Sequence, residues 1–175
     1  MLVNVAQLLK SYIGDERVYH IDENININGS PVRVNGDVKL IRTDRAILVR
    51  GDVKTEIKLE CCRCLEPFFY PLDIEFEEEY FPTIDILSGL PAKMPEEETV
   101  GFTIDENHII NMDYAIREYA QLEIPMKPLC REDCAGLCAK CGKNLNKKIC
   151  NCLPEIDPRL AKLKDLLKME NRRKN

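Results

Sequence analysis

Nine cysteines in 175 residues, five of them in "CAGLCAKCGKNLNKKICNC" from Cys134 to Cys152, are the residues most able to do chemistry in this chain. Two thiolates separated by two residues can reach one ion, and zinc takes four soft ligands in a tetrahedron. The sequence offers Cys61-x2-Cys64, Cys138-x2-Cys141, Cys130-x3-Cys134 and Cys150-x-Cys152, with Cys62 left over. Four pairs make two sites of four cysteines. The preferred grouping is Cys138, Cys141, Cys150 and Cys152 as a local site, and Cys61, Cys64, Cys130 and Cys134 as a long-range one that would bolt a C-terminal module to the preceding body. A rival keeps one zinc, on Cys134, Cys138, Cys141 and either Cys150 or Cys152. Gly142, directly after Cys141, permits the tight turn that aims backbone N–H groups at thiolates. A four-thiolate site has no open position for water, so it predicts structure rather than catalysis.

Disulfide and redox chemistry fit less well. The start, "MLVNVAQLLKSYIGDE", lacks a basic segment, a long apolar run and a small-residue cleavage site, so a cytoplasmic chain without a secretory signal is expected. Thiols stay reduced there, and an odd count leaves one over. A thioredoxin-like pair opens a helix after a strand, whereas "LEPFFYPLDIEF" after Cys64 reads as another strand. His20 and His108 stand alone, and no metalloprotease, phosphate-loop or nucleophile-elbow motif is present. A thiol oxidoreductase is therefore a weaker reading, a hydrolase a weaker one still, and no enzyme or small-molecule substrate is expected.

The elements that must position these thiols follow from periodicity. "NVAQLLKSYI" puts Val5, Leu8, Leu9 and Tyr12 at helical spacing behind Asn4. Alternation over "PVRVNGDVKLIRT", "AILVRGDVKTEIKLEC" and "FFYPLDIEFEEEYF" predicts antiparallel strands between Val32 and Tyr80, with Asn35-Gly36 as a bulge or a turn. Residues 81–99 have no period and read as a long mobile loop; "VGFTIDENHII" reads as a hairpin and 113–124 as a helix ended by Pro125. "DPRLAKLKDLLKM" predicts a last helix with Lys162, Lys164 and Lys168 opposite its leucines. The fold class is α+β: a curled antiparallel β-sheet or partial barrel, flanking helices and a C-terminal zinc-binding cysteine module. The division is a β-rich body over 1–129 and a cysteine-rich module with a basic helix over 130–175.

Charge is divided the same way. From Cys130 onward there are 12 Lys+Arg against 6 Asp+Glu, leaving 13 against 24 before it, a net +6 after −11. Absence of Trp and 6% aromatics argue against a sugar-binding surface, and no apolar run reaches the length of a membrane span.

"CCRCLEPF", "PLCREDCAGLCAKCGKNLNKKICNC" and "DPRLAKLKDLL", in that order and spacing, resemble the YceD family, also described as domain-of-unknown-function 177. The resemblance runs over nearly the whole chain. It places the family's Cys-x-Arg-Cys on Cys61, Arg63 and Cys64, its second cysteine segment on Cys130 and Cys134, and its knuckle on Cys138, Cys141, Gly142, Cys150 and Cys152. Cys62 falls on the variable middle position. The resemblance implies a bacterial factor in accumulation of 23S ribosomal RNA and large-subunit biogenesis, and it brings no catalytic residue. The expected cofactor is zinc, one or two ions of four cysteines each. The expected partner is ribosomal RNA or a large-subunit assembly intermediate, contacted through Arg63, Lys140, Lys143, Lys147 and Lys148. The alternative is a zinc-stapled adaptor whose acidic body docks a basic ribosomal protein without touching RNA.

Overall fold

Strand alternation sets the architecture. The computed structural model describes residues 1–92 and 102–152. In chain order the elements are β1 (Leu2–Asn4), α1 (Ala6–Leu9), β2 (Glu16–Ile27), β3 (Ser30–Arg42), β4 (Ile47–Glu60), β5 (Pro67–Pro82), β6 (Thr103–Ile104), β7 (Ile109–Asn111) and α2 (Asp113–Glu123). They build one seven-stranded sheet in the order β1-β7-β6-β5-β4-β3-β2, curled into a half-barrel. The long strands β2 to β5 form an antiparallel meander, while β5 and β6 run parallel, so the sheet is mixed rather than purely antiparallel. The last helix read from the sequence lies outside the described residues, as do 93–99 of the loop and the first two residues of the hairpin, 100 and 101. Among the described residues, no helix is long and apolar enough to cross a membrane.

The inner face carries the core. Val49, Val53 and Ile57 of β4 and Leu72, Ile74, Phe76 and Tyr80 of β5 are buried, while Arg50, Lys54, Glu75 and Glu77 alternate with them on the outer face. Outward charges pair across strands: Arg50 grips Glu77 with both Nε and an Nη nitrogen, at 2.7 and 3.2 Å. Helix α2 packs on β5 and β2, burying Ala115, Ile116 and Ala120. Thr55, the one buried polar residue among those described, donates its hydroxyl to the Arg33 carbonyl at 2.8 Å, which removes the penalty of an orphaned group.

Glycines decide where strands can touch. Gly51 faces the Phe76 ring so closely that an added Cβ would lie 2.8 Å from Cδ1, and Phe76 in turn packs against Tyr119, its ring tilted by 46° with centroids 5.9 Å apart. Gly36 lies opposite Val53 in the middle of β3. An added Cβ there would overlap the Asp52 carbonyl oxygen and come 2.6 Å from Val53 Cα. Asn35-Gly36 is therefore neither a bulge nor a turn but an unbroken stretch of β3, paired residue for residue on both sides. The turn is the earlier Asn28-Gly29, whose φ angles of 51° and 81° are the pair a tight two-residue hairpin needs.

The N-terminal segment is shorter in helix than its spacing suggests. Leu2–Asn4 pair with β7, leaving a single helical turn, α1. Val5, Leu8 and Leu9 are buried, but Tyr12 is 86% exposed. Strand β5 continues through Phe81 and Pro82, and Ile84 bridges back to Pro91 beyond it. His20 lies on the exposed face of β2, 2.9 Å from Asp37, whereas His108 sits at φ 59° in the turn between β6 and β7 rather than on a strand face.

The chain groups into two compact units: Met1–Cys62 with Glu66–Cys130, and Arg63–Leu65 with the described chain from Arg131 on.

Candidate metal centres

Eight thiols gather into two sets of four. Cys61, Cys64, Cys130 and Cys134 form one, and Cys138, Cys141, Cys150 and Cys152 the other; within each set every Sγ lies within 4.8 Å of the rest. Four thiolates at about 2.3 Å from one ion stand about 3.8 Å apart, so each set is already close to the spacing that zinc requires. Cys134 belongs with Cys61 and not with the knuckle, so the single-ion grouping that joined it to Cys138 and Cys141 is not the one the thiols adopt. Cys62 is exposed and joins neither set.

Local backbone geometry explains the knuckles. After Cys138, the Gly142 N–H returns to the Cys138 carbonyl at 2.9 Å, and the Cys138 N–H reaches the Lys143 carbonyl at 2.8 Å. Gly142 holds φ at 67°, the left-handed conformation that closes this turn. Backbone N–H groups of Cys141 and Lys140, then the neighbouring thiols of Cys150 and Cys141, pull the Cys138 thiol down to about 6. The thiols of the same set push Cys152 the opposite way, up to about 12, first through its bond to Cys141. Crowded thiolates repel one another, and a central divalent cation reverses that balance.

The first knuckle has the same shape with a different residue. Leu65, directly after Cys64, takes φ 57° in the place where Gly142 follows Cys141. A leucine in that conformation carries roughly 1–2 kcal/mol of strain, and its side chain gains little in return, being 56% exposed. Leu65→Gly is expected to raise stability by about 0.5 kcal/mol, the strain relieved less the extra entropy of glycine. A denaturant midpoint that falls instead would show that leucine packing outweighs the backbone term.

Arg63 and Asn146 brace the second segment. Arg63 Nη1 donates to the Cys134 carbonyl at 3.0 Å and, more weakly, to the Glu132 carbonyl at 3.4 Å. The Arg63 carbonyl accepts the Leu137 N–H at 3.1 Å, and it also lies 3.1 Å from where a Cβ on Gly136 would be. The sequence reading gave Arg63 only an outward role; its guanidinium also ties down the loop that carries Cys134. Asn146 was missed. Its side chain accepts from Ala135 N–H at 2.8 Å and Arg131 at 2.7 Å, and donates to Cys134 Sγ at 3.2 Å. No cysteine-spacing rule points to an asparagine twelve residues away, though three asparagines within eight residues of the module were visible as side chains suited to turn bonding. Loss of such a support for a metal ligand typically weakens metal affinity 10–100-fold. Asn146→Ala is accordingly expected to lower zinc affinity at the first set by at least about 10-fold, read by competition with a chromogenic chelator. Unchanged affinity would remove Asn146 from the support of Cys134.

Lys140, Lys143, Lys147 and Lys148 are all exposed along the second knuckle and the loop that follows it.

The family model described as large ribosomal RNA subunit accumulation protein YceD matches residues 49–167, a span that holds all eight clustered cysteines. An uncharacterised protein of Mycobacterium bovis is 32% identical over 136 residues, 77% of this chain and 62% of that protein. The large ribosomal RNA subunit accumulation protein YCED homolog 1, chloroplastic, of Arabidopsis thaliana is 30% identical over 153 residues, 71% of this chain and 44% of that protein. The uncharacterised protein YlbN of Bacillus subtilis is 27% identical over 172 residues, 87% of this chain and 90% of that protein. The chain thus spans less than two thirds of the mycobacterial and plant relatives' length. No solved structure matches it. With a family model covering more than half of its residues and both sets of thiols, the chain belongs to the large ribosomal RNA subunit accumulation protein YceD family.

Proposed function

We propose that this chain is a non-enzymatic, cytoplasmic factor in large-subunit biogenesis that supports accumulation of the large ribosomal RNA by binding it or an assembly intermediate containing it. The observation that carries this reading is the family match over the segment holding both thiol sets, together with plant relatives named for large ribosomal RNA accumulation. In this reading the eight thiols hold two zinc ions, four thiols to each. Closed four-thiolate sites supply no water-derived nucleophile, which is why the role is binding rather than hydrolysis. Arg63, whose Nη1 is held on the Cys134 carbonyl, is exposed, and in this reading its guanidinium also meets phosphate. Lys140, Lys143, Lys147 and Lys148 are exposed and offer the remaining cations.

The test is sedimentation of tagged chain in a lysate gradient, with and without nuclease. Co-migration with large-subunit precursors, lost on nuclease treatment, is expected; migration as a free small protein at low salt would sink the reading. Lys143→Glu with Lys148→Glu is expected to weaken binding across sequences and flatten the salt dependence by about one power of salt per lysine removed.

The outer face of the body favours a second reading. Asp37, Asp52 and Glu75 stand directly opposite one another across β3, β4 and β5, an exposed acidic line. Like charges in that position destabilise a sheet and are relieved by a cationic partner. An adaptor that docks a basic ribosomal protein would use this line. Retention by a basic ribosomal protein, with no salt-sensitive binding to bare ribosomal RNA, would favour the adaptor.

A further inference from the structure

Resting on the two-zinc reading above, we propose that the two thiol sets divide a permanent metal centre from a releasable one. Cys138, Cys141, Cys150 and Cys152 hold an ion that peroxide or a chelator removes; Cys61, Cys64, Cys130 and Cys134 keep theirs.

The two sets differ in access. In the first, Cys61, Cys64 and Cys134 are 0, 4 and 3% exposed and only Cys130 is partly so. In the second, Cys141 and Cys152 are exposed and Cys138 and Cys150 partly so. They differ also in support. The Cys134 loop is held by the Arg63 guanidinium on its carbonyl, by Asn146 on its sulfur, and by the Arg63 carbonyl on Leu137 N–H. In the second set, Cys138 and Cys141 belong to a well-bonded knuckle, but Cys150 and Cys152 follow a loop whose last backbone bond, among the described residues, is Lys148 N–H to the Asn144 carbonyl at 3.1 Å. Ile149 beside them is 93% exposed, so its side chain does not anchor that stretch of chain. Half of the second set's ligands thus stand on the least restrained described backbone of the module.

Access converts into chemistry through the thiolates. One exposed thiolate attacks a peroxide oxygen, breaking the O–O bond, forming a sulfenic acid and releasing hydroxide, which a proton converts to water. A second thiolate of the set displaces hydroxide from that sulfur, forming the S–S bond, and a second proton gives a second water. The two thiolates have given up two electrons and peroxide has taken them. A set reduced to two thiolates no longer satisfies a tetrahedral ion and gives it up. Three of the four thiols of the other set are buried and shielded from the first of these steps, and none of the four is fully exposed. Release would unfasten the lysine-bearing loop, so the cationic surface answers to oxidant while the body keeps its metal.

The experiment uses the full chain, reduced and loaded with zinc, with metal counted by elemental mass spectrometry before peroxide is added. Zinc appearing in solution is followed with a colorimetric indicator, and thiols are mapped by alkylation and peptide mass spectrometry. Two ions per chain are expected at the start, with one released by peroxide and the other only by denaturant. Oxidised thiols should map to Cys138, Cys141, Cys150 and Cys152, with the exposed Cys62 reacting without metal loss. Cys152→Ser should retain the slow ion alone or lose the fast one at least tenfold sooner. Two ions leaving together, or oxidation mapping first to Cys61, Cys64 and Cys134, would overturn the division while leaving the zinc reading standing. A chain that binds no metal at the outset would overturn the zinc reading, and the division with it.

Discussion

Gly36→Ala is expected to remove at least about 3 kcal/mol of stability, a large part of the roughly 5–15 kcal/mol a domain of this size has. The added methyl group meets backbone, not side chain: the Asp52 carbonyl oxygen overlaps it and Val53 Cα lies 2.6 Å away. A flexible side chain could turn aside, but here β3 and β4 must separate in the middle of their ladder, where Gly36 pairs with Val53 and Asp37 with Asp52. Buried Val34 and Val38, on either side of Gly36, would lose contact with the core in the same movement. Gly51→Ala makes an informative comparison, since its clash is with the Phe76 ring, which can shift against Tyr119. Its cost should be smaller, about 1–3 kcal/mol. Asn35→Ala, on the exposed face one residue earlier, is the control, expected within about 0.5 kcal/mol of the parent. Denaturant midpoints of the three variants give the ranking. Equal effects at Gly36 and Asn35 would contradict the close approach of β3 and β4.

Cys134→Ser is expected to have the other large effect. Cys134 is 3% exposed, and its segment carries the Asn146 and Arg63 bonds. A neutral hydroxyl in place of a soft thiolate leaves the first set with three ligands. Structural zinc sites contribute roughly 10–16 kcal/mol of folding free energy in small domains, so removing a ligand is not a local change. The variant should bind one zinc in place of two, and limited proteolysis should cut the chain after Arg131 much faster. Cys62→Ser provides the contrast: it is exposed, outside both sets, and should leave metal content and proteolysis unchanged. Equal metal content in the parent and Cys134→Ser would remove Cys134 from the ligands.

The sequence made the middle of the sheet legible and left its edges obscure, for physical reasons. Strands β4 and β5 are flanked on both sides, so every second residue must be apolar, and Val49, Val53, Leu72 and Ile74 show it. Strand β2 is an edge strand of twelve residues and was not read from the sequence at all. Its buried residues are only Ile21, Ile25 and Ile27, interrupted by exposed Glu23, because an edge tolerates and even benefits from charge. Asn-Gly appears twice with the same local preference, at Asn28-Gly29 and Asn35-Gly36. Only the first is a turn; the second needs glycine because another backbone comes close, and that is a tertiary fact no local window contains. The short strands β1 and β6 have two or three residues each, too few to show any period.

The thiols were more legible than the strands because ligand chemistry fixes spacing. Pairs two or three residues apart can be read directly, and so can their number. What the spacing could not reveal was the support: Asn146 on Cys134, Arg63 turned inward on its carbonyl, and Leu65 in a conformation better suited to glycine. Each depends on which loop meets which, and that follows from the fold.

The most direct test of the account is native mass spectrometry of the reduced chain, paired with alkylation of its accessible thiols. Two zinc ions per chain are predicted, with Cys62 alkylated at once and the other eight cysteines protected until the metal is removed. One ion, with Cys134 protected alongside Cys138 and Cys141 while Cys61 and Cys64 react freely, would contradict the two-centre account.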